Sequence, residues 1–189
     1  MADQSDKAVA ILNSARALMM DRGYNGFSFR DIAAEVGIKS ASIHYHFATK
    51  ADLAEATARA YREAFSEALD ELEAASKSEL LRAYGTIFVA TLCQHGGLCL
   101  GGVLAADAIT LPDQVRAEVV AFFDVQREWV SGVVKKGQVD KEFRQDIDAD
   151  IVATMFVSSL EGSMMVARAI ERPSDLETTL NQLIQLICL

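Results

Sequence analysis

Proline is nearly absent from this 189-residue chain: there are two, Pro112 and Pro173, so the first 111 residues contain none. Nothing in that stretch removes a backbone donor or forces a helix to stop. Cysteine is also scarce. Cys93, Cys99 and Cys188 are an odd set of three, which excludes a small disulfide scaffold and predicts free thiols in a reducing compartment. Strand-like alternation of polar and apolar residues is missing throughout, which leaves helices as the building unit. The first twenty residues lack a cationic start followed by an apolar run, because Lys7, Asn13 and Arg16 interrupt them, so no secretory leader is expected and a cytoplasmic location follows. Long uncharged runs are limited to residues 83–106, between Arg82 and Asp107. Gln94, His95 and five glycines lie inside that run, and Gly96-Gly97 splits it into pieces too short to span a bilayer. It is expected to be two buried helices around a turn, with no membrane partner.

What is present is an apolar chain, 51% hydrophobic against 24% charged, which excludes a disordered or collagen-like polymer. The length suits one domain, or a small module fused to a larger one. Repeats at three- and four-residue spacing predict a first helix from Ser5 to Arg22, with Ala8, Leu12, Ala15 and Met19 on one face and Gly23 at its stop. Ser28 and Asp31 fit a capping box that opens a short helix ended by Gly37, and another helix begins near Ser40. Thr49 and Asp52 repeat the cap for a long connector helix to about Ala75. Further helices are expected near 78–95 and 103–109, from Pro112 to Lys136, and over 148–171 and 174–187.

Net charge is −9, which as an average opposes binding to a polyanion. Its distribution changes that reading. Residues 1–50 carry six basic and five acidic side chains, whereas residues 51–189 carry twelve and twenty-two. The N-terminal quarter is a near-neutral head on an acidic body, and only the head can approach phosphate.

Two short helices around the glycine turn at Gly37 make a helix-turn-helix. The residues Arg22-Gly23-Tyr24-Asn25-Gly26-Phe27-Ser28-Phe29-Arg30-Asp31-Ile32-Ala33 and Gly37-Ile38-Lys39-Ser40-Ala41-Ser42-Ile43-His44-Tyr45-His46-Phe47, then Lys50 and Leu53, resemble the DNA-binding region of TetR-family bacterial transcriptional regulators. The resemblance implies that the helix from Ser40 to Phe47 is the recognition helix and that the protein is an all-helical homodimer with a ligand-binding body. It departs from the family at His44, where tyrosine is commoner. The residues themselves support the same site: Ile38, Ile43 and Phe47 can anchor a helix whose outer side presents Lys39, Ser40, Ser42, Tyr45 and His46 to a major groove. Lys39 and Lys50 suit phosphates near helix starts, as do Ser28 and Arg30, with Thr49 capping the next helix; base readout would fall to Lys39, Ser42 and His44. Tyr45 and His46 could alternatively pack and cap.

The expected protein is therefore all-α with about nine helices: a three-helix helix-turn-helix DNA-binding domain over 1–50 and, through the connector, a ligand-binding and dimerisation domain over 51–189. One such head touches few phosphates, so a two-fold dimer on a palindromic operator is expected. Val152, Met155, Phe156, Ser159, Gly162, Ser163 and Val166, with Leu176, Leu180, Leu183, Ile184 and Ile187, can supply the interface, or else close the monomer's own core. An effector pocket is expected among Tyr84, Phe88, Phe122, Phe123, Gln126, Trp129, Met155, Glu161 and Met165, although the same aromatic and methionine spacing also builds plain core. A charged Glu161 would favour a cationic or hydrogen-bond-donating effector, unless Arg168 or Arg127 pairs with it. Cys93, His95 and Cys99 match no common zinc site, and residues two apart on a helix cannot form a nucleophile pair. Cys99 and Cys93 are either small apolar residues or thiol sensors; the segment around Cys99 is similar to one in some TetR-type regulators that respond to electrophiles. The sequence thus predicts a non-enzymatic, ligand-responsive repressor without cofactor or metal, whose partners are double-stranded DNA, a small-molecule effector of unknown identity and a second copy of itself. The alternatives are a binding module with a vestigial helix-turn-helix, a thiol-based sensor and a cysteine-dependent enzyme.

Overall fold

The computed structural model describes residues 4–95 and 97–189. Nine α-helices and no strand lie within them: α1 Gln4–Arg22, α2 Phe29–Val36, α3 Ser40–His46, α4 Lys50–Asp70, α5 Lys77–His95, α6 Leu100–Ala106, α7 Asp113–Val139, α8 Ala149–Ala169 and α9 Ser174–Ile187. They pack as two compact units, Met1–Ala64 with Leu100–Phe122, and Phe65–Cys99 with Phe123–Leu189. Packing therefore groups the chain differently from a division after residue 50, since α6 and the first part of α7 join the N-terminal helices.

In the first unit α1 buries Ile11, Ser14, Ala15, Leu18 and Met19. The stripe is rotated from the expected one, because Ala8 and Leu12 are only half-buried. Ser14 Oγ, on the buried side, donates to Glu35 on α2 and so has a partner where water cannot supply one. Ile32, Ile43, Leu53, Leu100, Leu104 and Val115 complete this core. The expected start of α6 at residue 103 is corrected to Leu100. Gly101 belongs inside the helix because a Cβ there would collide with the Phe122 ring of α7, so this glycine serves close packing and does not break the helix.

In the second unit α5 packs on α8 and α9. Tyr84, Phe88, Val130, Val134, Phe143, Phe156, Leu160, Met164, Leu180 and Ile184 are buried there. The connector α4 stops at Asp70 rather than near Ala75. Glu67, Asp70, Glu71 and Glu73 gather at that end, where helix carbonyls disfavour negative charge. Ser76 then caps α5, its Oγ accepting from Glu79 N at 3.2 Å, while the Glu142 carboxylate accepts from Lys77 N at 2.8 Å. A bridge between Phe143 and Cys188 ties the C-terminus to the α7–α8 loop.

Candidate nucleic-acid interface

Local chemistry fixes the helix-turn-helix. Asp31 accepts from Ser28 N at 2.7 Å and from Ser28 Oγ at 2.6 Å, closing the expected box at the start of α2. Those bonds hold the Asp31 carboxyl below its usual range. Gly37 has φ +73°, a left-handed conformation that ends α2, and Ile38 N donates to Ala33 O at 3.0 Å. Thr49 N donates to Asp52 Oδ2 at 2.9 Å and Asp52 N donates back to Thr49 Oγ1 at 3.1 Å, a reciprocal box that opens α4. Its bond from Thr49, with a second from Gln114, keeps the Asp52 carboxyl low as well.

Ile43 is fully buried and anchors α3, while Ile38 and Phe47 are half-buried. Ser28, Arg30, Lys39, Ser42, His44, Tyr45 and Thr49 are exposed, and Ser40, His46 and Lys50 are partly so. Several of these side chains have structural work. The His44 ring meets Phe29 edge-on at 4.7 Å between centroids, and its Nδ1 lies 3.2 Å from Ala48 O. Tyr45 and His46 contact each other at 5.3 Å, and 74% of Tyr45 is exposed, enough to reach a ligand beyond the helix. Lys50 does not project as expected. Its ammonium donates to Phe27 O and lies 4.8 and 4.2 Å from the Tyr24 and Phe27 ring centroids, so it clamps the start of α4 onto the α1–α2 turn. Burial lowers its pKa, and the nearby Asp31 charge opposes that shift.

Sequence reasoning missed the ties from α6 and α7. Asp107 Oδ2 accepts from Tyr24 N at 2.8 Å, and Asn25 Nδ2 donates to Thr110 Oγ1 at 2.8 Å. Gln114 Nε2 lies 3.1 Å from both Asp52 and Glu55, and Glu118 accepts from Arg59 and Arg62 at 2.9 Å each. Burial works to raise the Glu118 pKa, but the two guanidinium bonds outweigh it. These pairs span 56 residues or more, and nothing in local spacing announces them. Of these carboxylates, Glu118 has its charge offset by two guanidiniums.

Within the second unit, Tyr84, Phe88, Gln126, Trp129 and Glu161 come together. Tyr84 Oη donates to Gln126 Oε1 at 2.6 Å, and Trp129 stacks on the Tyr84 ring at 5.5 Å and 25°. Burial raises the Glu161 carboxyl to about 7, opposed by a hydrogen bond from the Cys99 thiol. Burial, then the Glu161 charge, pushes the Tyr84 phenol well up. Among the described residues Gln126 Nε2 and Glu161 Oε1 have no partner. Neither anticipated arginine pairs with Glu161: Arg127 binds Asp124, and Arg168 lines a surface groove. The remaining expected pocket residues differ in burial. Phe122 belongs to the first unit, beside Tyr61, Phe123 is half-buried, and Met155 and Met165 are 57% and 42% exposed. Cys99 is buried, whereas Cys93 is exposed in that groove of about 390 Å³ with Leu92, Ala167, Glu171 and Pro173. The His95 side chain falls outside the described residues.

Expected interface residues divide in the same way. Phe156, Leu176, Leu180, Ile184 and Ile187 are buried in the second unit's own core, so they present almost no surface. Val152, Ser159, Ser163 and Leu183 are intermediate, and Gly162 and Val166 are exposed. Ile151, Met155, Met165, Val166 and Ile170, at 61, 57, 42, 57 and 44% exposure, extend this face along α8.

A helix-turn-helix whose flanking helices open on two capping boxes, on an all-helical chain, defines the class of helix-turn-helix DNA-binding regulators. A model of the bacterial regulatory proteins of the tetR family matches residues 11–57, and one of the tetracyclin repressor-like C-terminal domain matches residues 78–183. The chain belongs to the TetR family of bacterial transcriptional regulators and is not an enzyme. A TetR-family transcriptional regulator from Agrobacterium tumefaciens is 30% identical, with a TM-score of 0.95 over 99% of this chain and 100% of that one. The transcriptional regulator AcuR of Cereibacter sphaeroides is 24% identical over 165 residues, 85% of this chain and 75% of AcuR. The HTH-type transcriptional repressor DhaR of Mycobacterium sp. strain GP1 is 26% identical over 164 residues, 82% of this chain and 79% of DhaR.

Proposed function

We propose that this chain is a cytoplasmic repressor that binds a palindromic operator as a homodimer and is released by a small-molecule effector held in the second unit. The observation that carries the DNA-binding half is the geometry of α3: Ile43 is fully buried while Ser42 and Tyr45 of that short helix, and Lys39 at its N-cap, are exposed. A helix so anchored can enter a major groove without unfolding its support. In this reading Lys39, Ser42 and Tyr45 face DNA together with Ser40, His46, Arg30 and the exposed Thr49 cap, while Lys50 and His44 hold the turn that aims them. Relatives named as transcriptional regulators and repressors support a repressing output.

The dimer half is carried by the apolar side of α8. By length and composition α8 could cross a membrane, yet it is a packed helix of the second unit whose other side is core. A second copy covers such a stripe at less cost than water does. The effector half follows from linkage: a ligand releases DNA only by as much as it prefers the conformation that does not bind DNA.

The test is a gel shift and a footprint on DNA flanking the protein's own gene, with a salt titration. A protected inverted repeat is expected, with affinity falling steeply as salt rises. Tyr45→Ala and Lys39→Ala are expected to weaken binding roughly tenfold each without altering the dimer. Absence of any protected repeat at moderate salt would sink the proposal.

A further inference from the structure

Three features of the second unit stand outside what has been assigned: the groove beside Cys93, a lysine-rich surface cavity, and the buried polar group around Tyr84. In the lysine-rich cavity Lys77 and Lys135 already face Asp140 and Asp150, at 3.5 and 2.8 Å, and the Cys93 groove offers a single thiol. The buried group carries more. Tyr84 and Gln126 are fully buried and Glu161 is 8% exposed. The Tyr84 hydroxyl donates to Gln126 Oε1, which fixes the amide orientation and leaves the Nε2 end as a donor with no partner. Cys99 bonds the Glu161 carboxyl, yet Oε1 of that group has no partner either. One orphan donates and the other accepts. Both side chains act on the same phenol, Gln126 by the hydrogen bond and Glu161 through its charge.

Resting on the reading of the chain as an effector-responsive regulator, we propose that this group recognises an uncharged, largely apolar effector in which a carbonyl oxygen adjoins an N–H or O–H, as in a carboxamide or lactam. Gln126 Nε2 donates to the carbonyl, and Glu161 Oε1 accepts from the neighbouring donor. Trp129, stacked on Tyr84, and Phe88 and Phe156, with centroids 5.3 and 6.1 Å from that ring, supply the apolar wall. Charge selection follows from what surrounds Glu161. Among the described residues no cation pairs with it, so an anionic ligand meets a buried carboxylate without compensation. An ammonium ligand satisfies Glu161 but leaves the Gln126 donor unbonded, and it surrenders its own hydration. A carboxamide satisfies both orphans at once.

The full-length protein, without DNA, is titrated calorimetrically with benzamide, 3-phenylpropanamide and octanamide, each against the carboxylate and the primary amine of the same skeleton, at about pH 8. At least one carboxamide is expected to bind about tenfold or more tightly than both of its charged counterparts, the worth of one hydrogen bond in the site. Gln126→Leu and Glu161→Leu each weaken that carboxamide about tenfold. The near-isosteric Glu161→Gln guards against misfolding: it retains the carboxamide and reduces the discrimination against the carboxylate to a few-fold. Carboxamides that fail to bind, or that bind no better than the carboxylates and amines, overturn the proposal, as do variants that leave affinity unchanged; the orphans are then satisfied by water. A protein that shifts operator DNA but ignores every carboxamide refutes the site and leaves the regulator standing. One that binds the carboxamide but no DNA does the reverse.

Discussion

Glu161 is a carboxyl group whose burial holds its pKa near 7 instead of the ordinary 4.5. Below about pH 4.5 the folded and unfolded chains are both protonated there, and the group leaves stability unchanged. Between 4.5 and 7 the unfolded chain ionises while the folded one keeps its proton, so stability falls as pH rises, and above 7 the full penalty applies. That difference corresponds to about 3 kcal/mol. Glu161→Gln removes the titration, so the variant is expected to melt above the parent at about pH 8 and to converge with it in acid. Thermal melts across that range check the sign: equal melting temperatures at both ends mean that Glu161 is solvated or paired. Gln126 and Glu161 stood out in the sequence because a polar residue on an apolar helix face demands an explanation. Their neighbour Tyr84, which orients the amide, was visible only as an aromatic, since a phenol and a benzene ring look alike to periodicity. Met155 and Met165, also expected at the pocket, are 57% and 42% exposed: on α8, apolar on two sides, spacing does not say which side meets the protein's own core.

At the scale of elements, caps were legible and ties between distant segments were not. Ser28 with Asp31, Gly37, and Thr49 with Asp52 are local patterns whose bonds close within about one turn, and each falls where spacing puts it. α6 begins at Leu100, three residues before the expected start, and takes in Gly101, where the close Phe122 ring leaves no room for a Cβ. The bond from Tyr24 N to Asp107 joins positions 83 apart, a separation at which sequence periodicity says nothing. That bond gives α6 a definite role: its C-terminal end carries the carboxylate that holds the turn leading into α2. Asp107→Ala is expected to leave the Tyr24 amide without its partner, costing about 1–2 kcal/mol of unfolding free energy, read by denaturant titration. Amide exchange gives the sharper reading, with Tyr24 losing protection while Ile43, deep in the same unit, changes no more than global stability requires. If Tyr24 and Ile43 lose protection equally, Asp107 supports the whole unit and is no local latch.

For the whole molecule, the charge of −9 and the bare side of α8 lead to the same requirement. A near-neutral head on an acidic chain gains little from nonspecific attraction, so operator affinity depends on two heads engaging together. Ile151, Met155, Gly162, Val166 and Ile170 follow one another at four- and seven-residue steps, the repeat of a single helix face, and all are exposed in the isolated chain. A helix packed on its own two-fold mate brings equivalent residues near one another across the axis, where a new charge faces its own copy. Val166→Asp is therefore expected to weaken dimerisation by about 100-fold or more, through desolvation and like-charge repulsion. Because Val166 is 57% exposed, the helicity of the monomer should survive, which circular dichroism checks. Sedimentation velocity then reads the oligomer directly, and operator affinity should collapse at concentrations where the parent is dimeric. Phe156→Ala, in the core, should instead lower the melting temperature by a cavity cost of about 3–5 kcal/mol. A Val166→Asp protein that still sediments as a dimer and still shifts operator DNA at the parental concentration would place the two-fold contact somewhere other than α8.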